Sequence, residues 1–125
     1  MKFREYTLSS GTKILLGKDE TSNDELMKLY SGKENFVIHT IKPGSPFCVI
    51  DKLNPTKQEI QESALICASK SQDWRDNKSS VKLHLFKAKD SYKNKSMKSG
   101  TWALKGRPKI ITIKKQELEN FKKWQ

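Results

Sequence analysis

An α+β fold, with a mixed or antiparallel sheet and two or three short helices packed on it, is what this 125-residue chain predicts. Three observations lead there. Short runs with the two-residue period of strands recur along the chain. They are interrupted at irregular intervals by segments carrying helix-capping pairs, and glycine or proline marks the junctions. The regular strand-helix alternation that a doubly wound sheet needs is missing.

Residues 4–8 and 12–16 read as a hairpin turned at Ser10-Gly11. Gly17-Lys18 breaks that run. Ser22 and Glu25 then form a capping-box pair, and Leu26, Leu29 and Tyr30 follow at helical spacing, so a helix of about two turns is expected before Gly32. Phe36–Thr40 and residues 47–50 read as strands separated by Lys42-Pro43-Gly44-Ser45-Pro46, which neither continues a strand nor starts a long helix. Thr56 and Glu59 make a second capping box just after Pro55, and Ile60, Ala64, Cys67, Ala68 and Ser71 fall on one helical face. That face is mostly small residues, so the helix can lie close on a sheet.

Residues 72–80 read as a polar loop that exposes Trp74 beside Arg75. Val81, Leu83 and Leu85 alternate with Lys82, His84 and Phe86 as in a half-buried strand, which puts His84 on the surface with Lys82. Residues 87–100 are rich in Lys, Ser and Asn and read as locally mobile. Residues 101–104 and Lys109–Ile113 supply two last strands around Gly106-Arg107-Pro108, and Leu118, Phe121 and Trp124 mark an amphipathic helix from Lys115 onward.

This length suits one domain, residues 1–125, with a modest core that needs no metal or disulfide. Cys48 and Cys67 are too far apart for a metal-binding pair and lie in apolar settings, so free buried thiols, no metal and no cofactor are expected. No signal region or membrane-length apolar run is present, which points to a cytoplasmic protein with no membrane partner. The sequons Asn77-Lys78-Ser79 and Asn94-Lys95-Ser96 carry no meaning without secretion.

The distribution of charge says more about function. Residues 1–77 hold eleven Lys/Arg against eleven Asp/Glu, whereas residues 78–125 hold fourteen against three, so the whole formal charge of +11 falls in the C-terminal part. Solubility does not require such segregation, and a polyanion-facing surface does. The basic part lacks a sustained basic amphipathic helix, which disfavours a lipid surface. Lys87, Lys89, Lys93, Lys95, Lys98, Lys105, Arg107 and Lys109 offer phosphate contacts. Tyr92 and Trp102 lie among them and can stack on unpaired bases, although core packing is the favoured reading for Trp102. Lysine greatly outnumbers arginine, so bidentate base reading is poorly served and recognition by backbone and shape is expected.

Catalytic readings are weak. Gly11 to Lys18 looks superficially like a phosphate-binding glycine loop, but five residues separate the glycines, Asp19 stands where Ser or Thr is required, and the stretch is strand-like. His39 lacks an orienting partner in the sequence and reads as a hydrogen-bonded structural residue. Asn23-Asp24 is explained by helix capping, and Pro43-Gly44-Ser45 either makes a tight turn or presents backbone N–H groups to a phosphate. A non-catalytic binding module is the reading.

Several of these residues form an ordered pattern: Gly17-Lys18, then Asn23-Asp24-Glu25-Leu26, then Phe36-Val37-Ile38-His39 and Pro43-Gly44-Ser45. Glu62-Ser63-Ala64, the strand at 81–86 and Lys95-x-x-Lys98-x-Gly100 continue it. The pattern resembles the RNA-binding region of the NFACT family, ribosome quality-control factors. Two positions depart from it: Pro46 follows Ser45 where many members have His, and Val37-Ile38 replaces an aromatic pair. The resemblance implies a stand-alone module for structured RNA, tRNA or ribosomal RNA, with the ribosome as a further partner. Its rivals are an adaptor for an acidic ribosome-associated protein and nonspecific DNA binding; no helix concentrates the base-reading residues of a major-groove reader.

Overall fold

The computed structural model describes residues 3–123. Six strands form one fully antiparallel sheet: β1 (Arg4–Thr7), β2 (Lys13–Leu16), β3 (Phe36–Thr40), β4 (Cys48–Ile50), β5 (Val81–Lys87) and β8 (Lys109–Ile113). Their spatial order is β1-β2-β4-β3-β5-β8, and β6 (Ser91–Tyr92) pairs with β7 (Ala103–Leu104) outside the sheet. Helices α2 (Lys57–Ser69), α3 (Gln72–Asn77) and α4 (Lys115–Lys123) lie together, with α2 crossing β3, β4 and β5. The fourth, α1 (Glu20–Leu29), follows β2. Fold class, sheet type and the three longer helices agree with the sequence reading.

Alternation along the strands builds two separate cores. Ile14, Leu16, Ile38, Cys48, Ile50, Leu83 and Leu85 face α2, and Ala64, Cys67 and Ala68 of that helix meet them with small side chains. Leu15, Val37, Val49 and Phe86 point the other way, toward Leu26, Met27 and Tyr30 of α1. Each fully buried Leu or Ile contributes about 1.5–3 kcal/mol of transfer free energy. Both thiols are free and buried, and burial pushes each up in pKa, Cys67 to about 12.

Thr56 caps α2 in the predicted box with Glu59. Glu59 does more: its carboxylate also accepts hydrogen bonds from Thr12, Ser10 and Lys52, which together hold its pKa well below the usual carboxylate range. Next to it, Glu62 accepts from the Ser9 backbone N–H and hydroxyl. Two carboxylates of α2 thus fasten the tip of the β1–β2 hairpin.

Several expectations require correction. The N-cap of α1 is Asp19, not Ser22; Ser22 serves as the third helical residue, its hydroxyl accepting from the Lys18 and Asp19 backbone N–H groups. An acidic side chain suits a helix N-terminus, and a serine can replace Glu in the reciprocal box. Residues 72–77 are helical rather than loop, with Ser71 as cap, and Trp74 is buried at 6 % exposure beneath the Lys78 ammonium, 4.9 Å from its ring. Residues 87–100 carry structure: a 3-10 turn at Ala88–Asp90, then β6, then a loop tied back to α1. Trp124 lies outside the described residues.

Candidate nucleic-acid interface

The organising residue is Asp24, in the second turn of α1. Its Oδ1 accepts from the Trp102 Nε1–H at 2.9 Å, the Gly100 N–H at 3.0 Å and the Lys93 ammonium at 3.2 Å, while Oδ2 accepts from the Ser99 hydroxyl at 3.2 Å. Burial alone would raise its pKa, but the bonds from Gly100, Trp102 and Lys93 outweigh that and lower it. Lys93 is committed inward: besides Asp24 its Nζ donates to the carbonyls of Lys98 (2.7 Å) and Thr101 (2.9 Å). One carboxylate and one ammonium thus close the 93–102 loop against α1. Gly100 adopts φ +81° where it passes Glu20, so a side chain there would be strained.

Asn23 has a different task from its neighbour. Its Oδ1 accepts from the Phe47 N–H at 3.0 Å, and a Cβ on Gly17 would lie 1.9 Å from that oxygen. Gly17 is therefore a residue of close approach: only hydrogen fits between it and Asn23. Capping, the expected explanation for Asn23-Asp24, accounts for neither side chain.

Beside the α1 core the same face of the sheet borders a hollow. Register places His39 opposite His84 and His84 opposite Ile110, a row across three strands, and Ile110 is 61 % exposed. His39 stacks on Phe47, with ring centroids 4.2 Å apart. Burial lowers its pKa to about 4; the Thr40 and Ser45 backbone groups oppose this, and His84 reinforces it. His39 is hence neutral at physiological pH. Half-buried His84 turns toward this space instead of open solvent, contrary to expectation.

Three hollows surround this region. The first, about 460 Å³, is bounded by His39, His84, Phe47, Phe86 and Trp102, with Gly44 and Ser45 at its edge. The second, about 680 Å³, is lined by Lys28, Lys89, Lys95, Lys105, Tyr92 and Trp102 among others, and its lining contains no acidic residue. The third, about 290 Å³, gathers Arg4, Lys70 and Arg75 beside Asp19 and Glu20. Among the described residues no group of three or more His, Cys, Asp or Glu is arranged to hold a metal ion, and no helix is long and apolar enough to cross a membrane.

Residues 2–106 match the family described as the NFACT protein RNA binding domain. The chain belongs to this NFACT family. A curated relative, the archaeal Rqc2 homolog aRqcH of Methanocaldococcus jannaschii, is 26% identical over 111 residues, covering 84% of this chain and 16% of its own length. Among solved structures, the C-terminal part of the fibronectin/fibrinogen-binding protein of Streptococcus suis superimposes with a TM-score of 0.80 at 26% identity, covering 96% of this chain and 49% of that one. The chain thus spans about half of the solved relative and a sixth of the curated one.

Within this NFACT domain the two motif blocks meet: Asn23, His39, Pro43, Gly44 and Ser45 border the first hollow together with Gly100 and Trp102, while Gly17 and Lys18 border the third. Trp102 packs against the α1 core and also lines two of the hollows. Lys95, Lys105 and 44 %-exposed Tyr92 come together around the second. Lys87 and Lys89 share Glu34, at 3.5 and 2.9 Å, an exposed arrangement of small energetic weight. Lys98 and Arg107 are exposed, and Lys109 pairs with Leu85, which places it on the α2 side of the sheet, away from the hollows. Lys28, Arg4, Lys70 and Arg75 escaped the sequence reading because an even count of acids over residues 1–77 hid their local clustering.

Proposed function

We propose that this chain is a non-catalytic RNA-binding module that grips structured RNA, tRNA or ribosomal RNA, during ribosome quality control. The observation that carries this reading is the second hollow, where five lysines line the space around Tyr92 and Trp102 without an acid in the lining. Lysines there neutralise phosphates and the aromatic rings take unpaired bases, so affinity follows shape and backbone more than sequence. Family membership and the archaeal relative's name support the same reading. Such a module works in the cytoplasm, beside the ribosome. Neutral His39 faces His84 and backbone groups, an arrangement suited to packing rather than proton transfer.

A protein partner is the competing occupant, because the Streptococcus suis relative is named for binding fibronectin and fibrinogen. Fluorescence anisotropy with labelled tRNA, an RNA hairpin, duplex DNA and polyglutamate at two salt concentrations separates the two. Tighter binding to structured RNA at near-physiological salt is expected. Equal binding to every polyanion, lost as salt rises, would sink the RNA reading.

A further inference from the structure

The three hollows adjoin one another. Trp102 lines both the first and the second, and Glu20, Asn23, Gly44 and Ser45 line both the first and the third. Side by side they give a lysine-rich end, an aromatic centre whose one lining residue among Asp, Glu, Lys and Arg is Glu20, and a second end where Arg4, Lys18, Lys70 and Arg75 outnumber Asp19 and Glu20.

We propose that the central hollow takes the base of a single unpaired ribonucleotide, with the flanking phosphates held at the two cationic ends. This deepens the RNA-binding reading and rests on it. At about 460 Å³ the centre has the size of a small-molecule site and room for a whole nucleoside. Trp102 offers a ring for stacking, and His39 and His84 border the same hollow with ring nitrogens of the kind that hydrogen-bond a base edge. Exposed Ser99 and Thr101 line the same hollow. A duplex cannot enter, because its bases are stacked inward; a loop or bulge nucleotide can. The charges match the occupant: a base wants an apolar, hydrogen-bonding slot, and phosphates want cations on either side.

The test compares three RNAs of equal length and charge: a hairpin with an unpaired loop, the same hairpin with abasic loop nucleotides, and a fully paired duplex. The intact hairpin should bind about tenfold more tightly than either of the others, the scale of one stacked base. Thr101→Trp, at an exposed position in the lining, should plug the slot and bring hairpin affinity down to that of the duplex, with circular dichroism confirming the fold. Equal affinity for all three RNAs would overturn the base slot and leave RNA binding standing, as would a hairpin preference that survives Thr101→Trp. No binding to any of them at near-physiological salt would overturn the RNA reading and this inference together.

Discussion

The two faces of the sheet are made by the same strands and are finished in opposite ways. On one, α2, α3 and α4 close over Ile14, Ile38, Leu83 and Ile113 and leave that apolar surface sealed. On the other, α1 packs over Leu15, Val37, Val49 and Phe86, and the row of half-buried His39 and His84 and exposed Ile110 lies beside that cluster, its two histidines bordering a hollow. Residues one position apart on β5 thus serve separate ends: Leu83 and Leu85 hold the domain together, while His84 and Phe86 line the hollow of the proposed binding surface. Substitutions on the sealed face should cost stability alone, and substitutions on the open face should cost binding first.

The largest effect expected is on the sealed face. Leu83→Ala should lower unfolding free energy by about 3–4 kcal/mol, read by urea denaturation, with RNA affinity of the folded fraction unchanged. Next comes acid. The folded His39 pKa of about 4 lies below its ordinary 6.5, so the unfolded chain binds the proton first. Stability should be intact above about pH 6.5 and fall by about 3 kcal/mol on the way to pH 4. His39→Gln should abolish the part of that fall above pH 4.5; an unchanged profile would show that His39 is not the buried group responsible.

Asp24→Ala is expected to cost about 2 kcal/mol and, by releasing Trp102 and the 93–102 loop, to weaken RNA binding disproportionately. Asp24 also couples to pH, in the usual carboxylate sense: with its folded pKa lowered, its contribution is present above the ordinary 3.8 and lost as pH falls through the folded value. A finer comparison sets Lys93 against Lys95 and Lys105. Lys93→Ala should reduce stability and leave the salt dependence of RNA binding unaltered, whereas Lys95→Ala with Lys105→Ala should flatten the log–log salt slope by about 1.4–1.8. The smallest effect belongs to Glu34→Ala, whose urea midpoint should coincide with that of the unsubstituted protein, because the carboxylate and its two lysine partners are exposed.

Local pattern was enough for much of the fold. A short apolar run located Phe36–Thr40 and the turn at Gly106-Arg107-Pro108 delimited Lys109–Ile113, both to the residue, and the Thr56–Glu59 pair marked the start of α2. The six-residue α3 was invisible because Gln72–Asn77 has one buried apolar side chain and hence no helical period to detect. The site was harder to see for a different reason. Asp24 reaches partners 69 to 78 residues away, and nothing in its neighbourhood distinguishes such a residue from a helix cap. Lys93 and Lys95 look alike in the sequence; only the fold turns one inward and the other out.

The clasp at Asp24 also bears on the speed of recognition. A ten-residue lysine-rich loop left free would have to be immobilised by its ligand, at an entropic cost for each long side chain and backbone link. Because Asp24 and Lys93 fix the loop while the protein folds, that ordering precedes the encounter with RNA. Binding then proceeds between surfaces already in shape, and loosening the clasp should show itself first as a slower on-rate, before the complex, once formed, becomes shorter-lived.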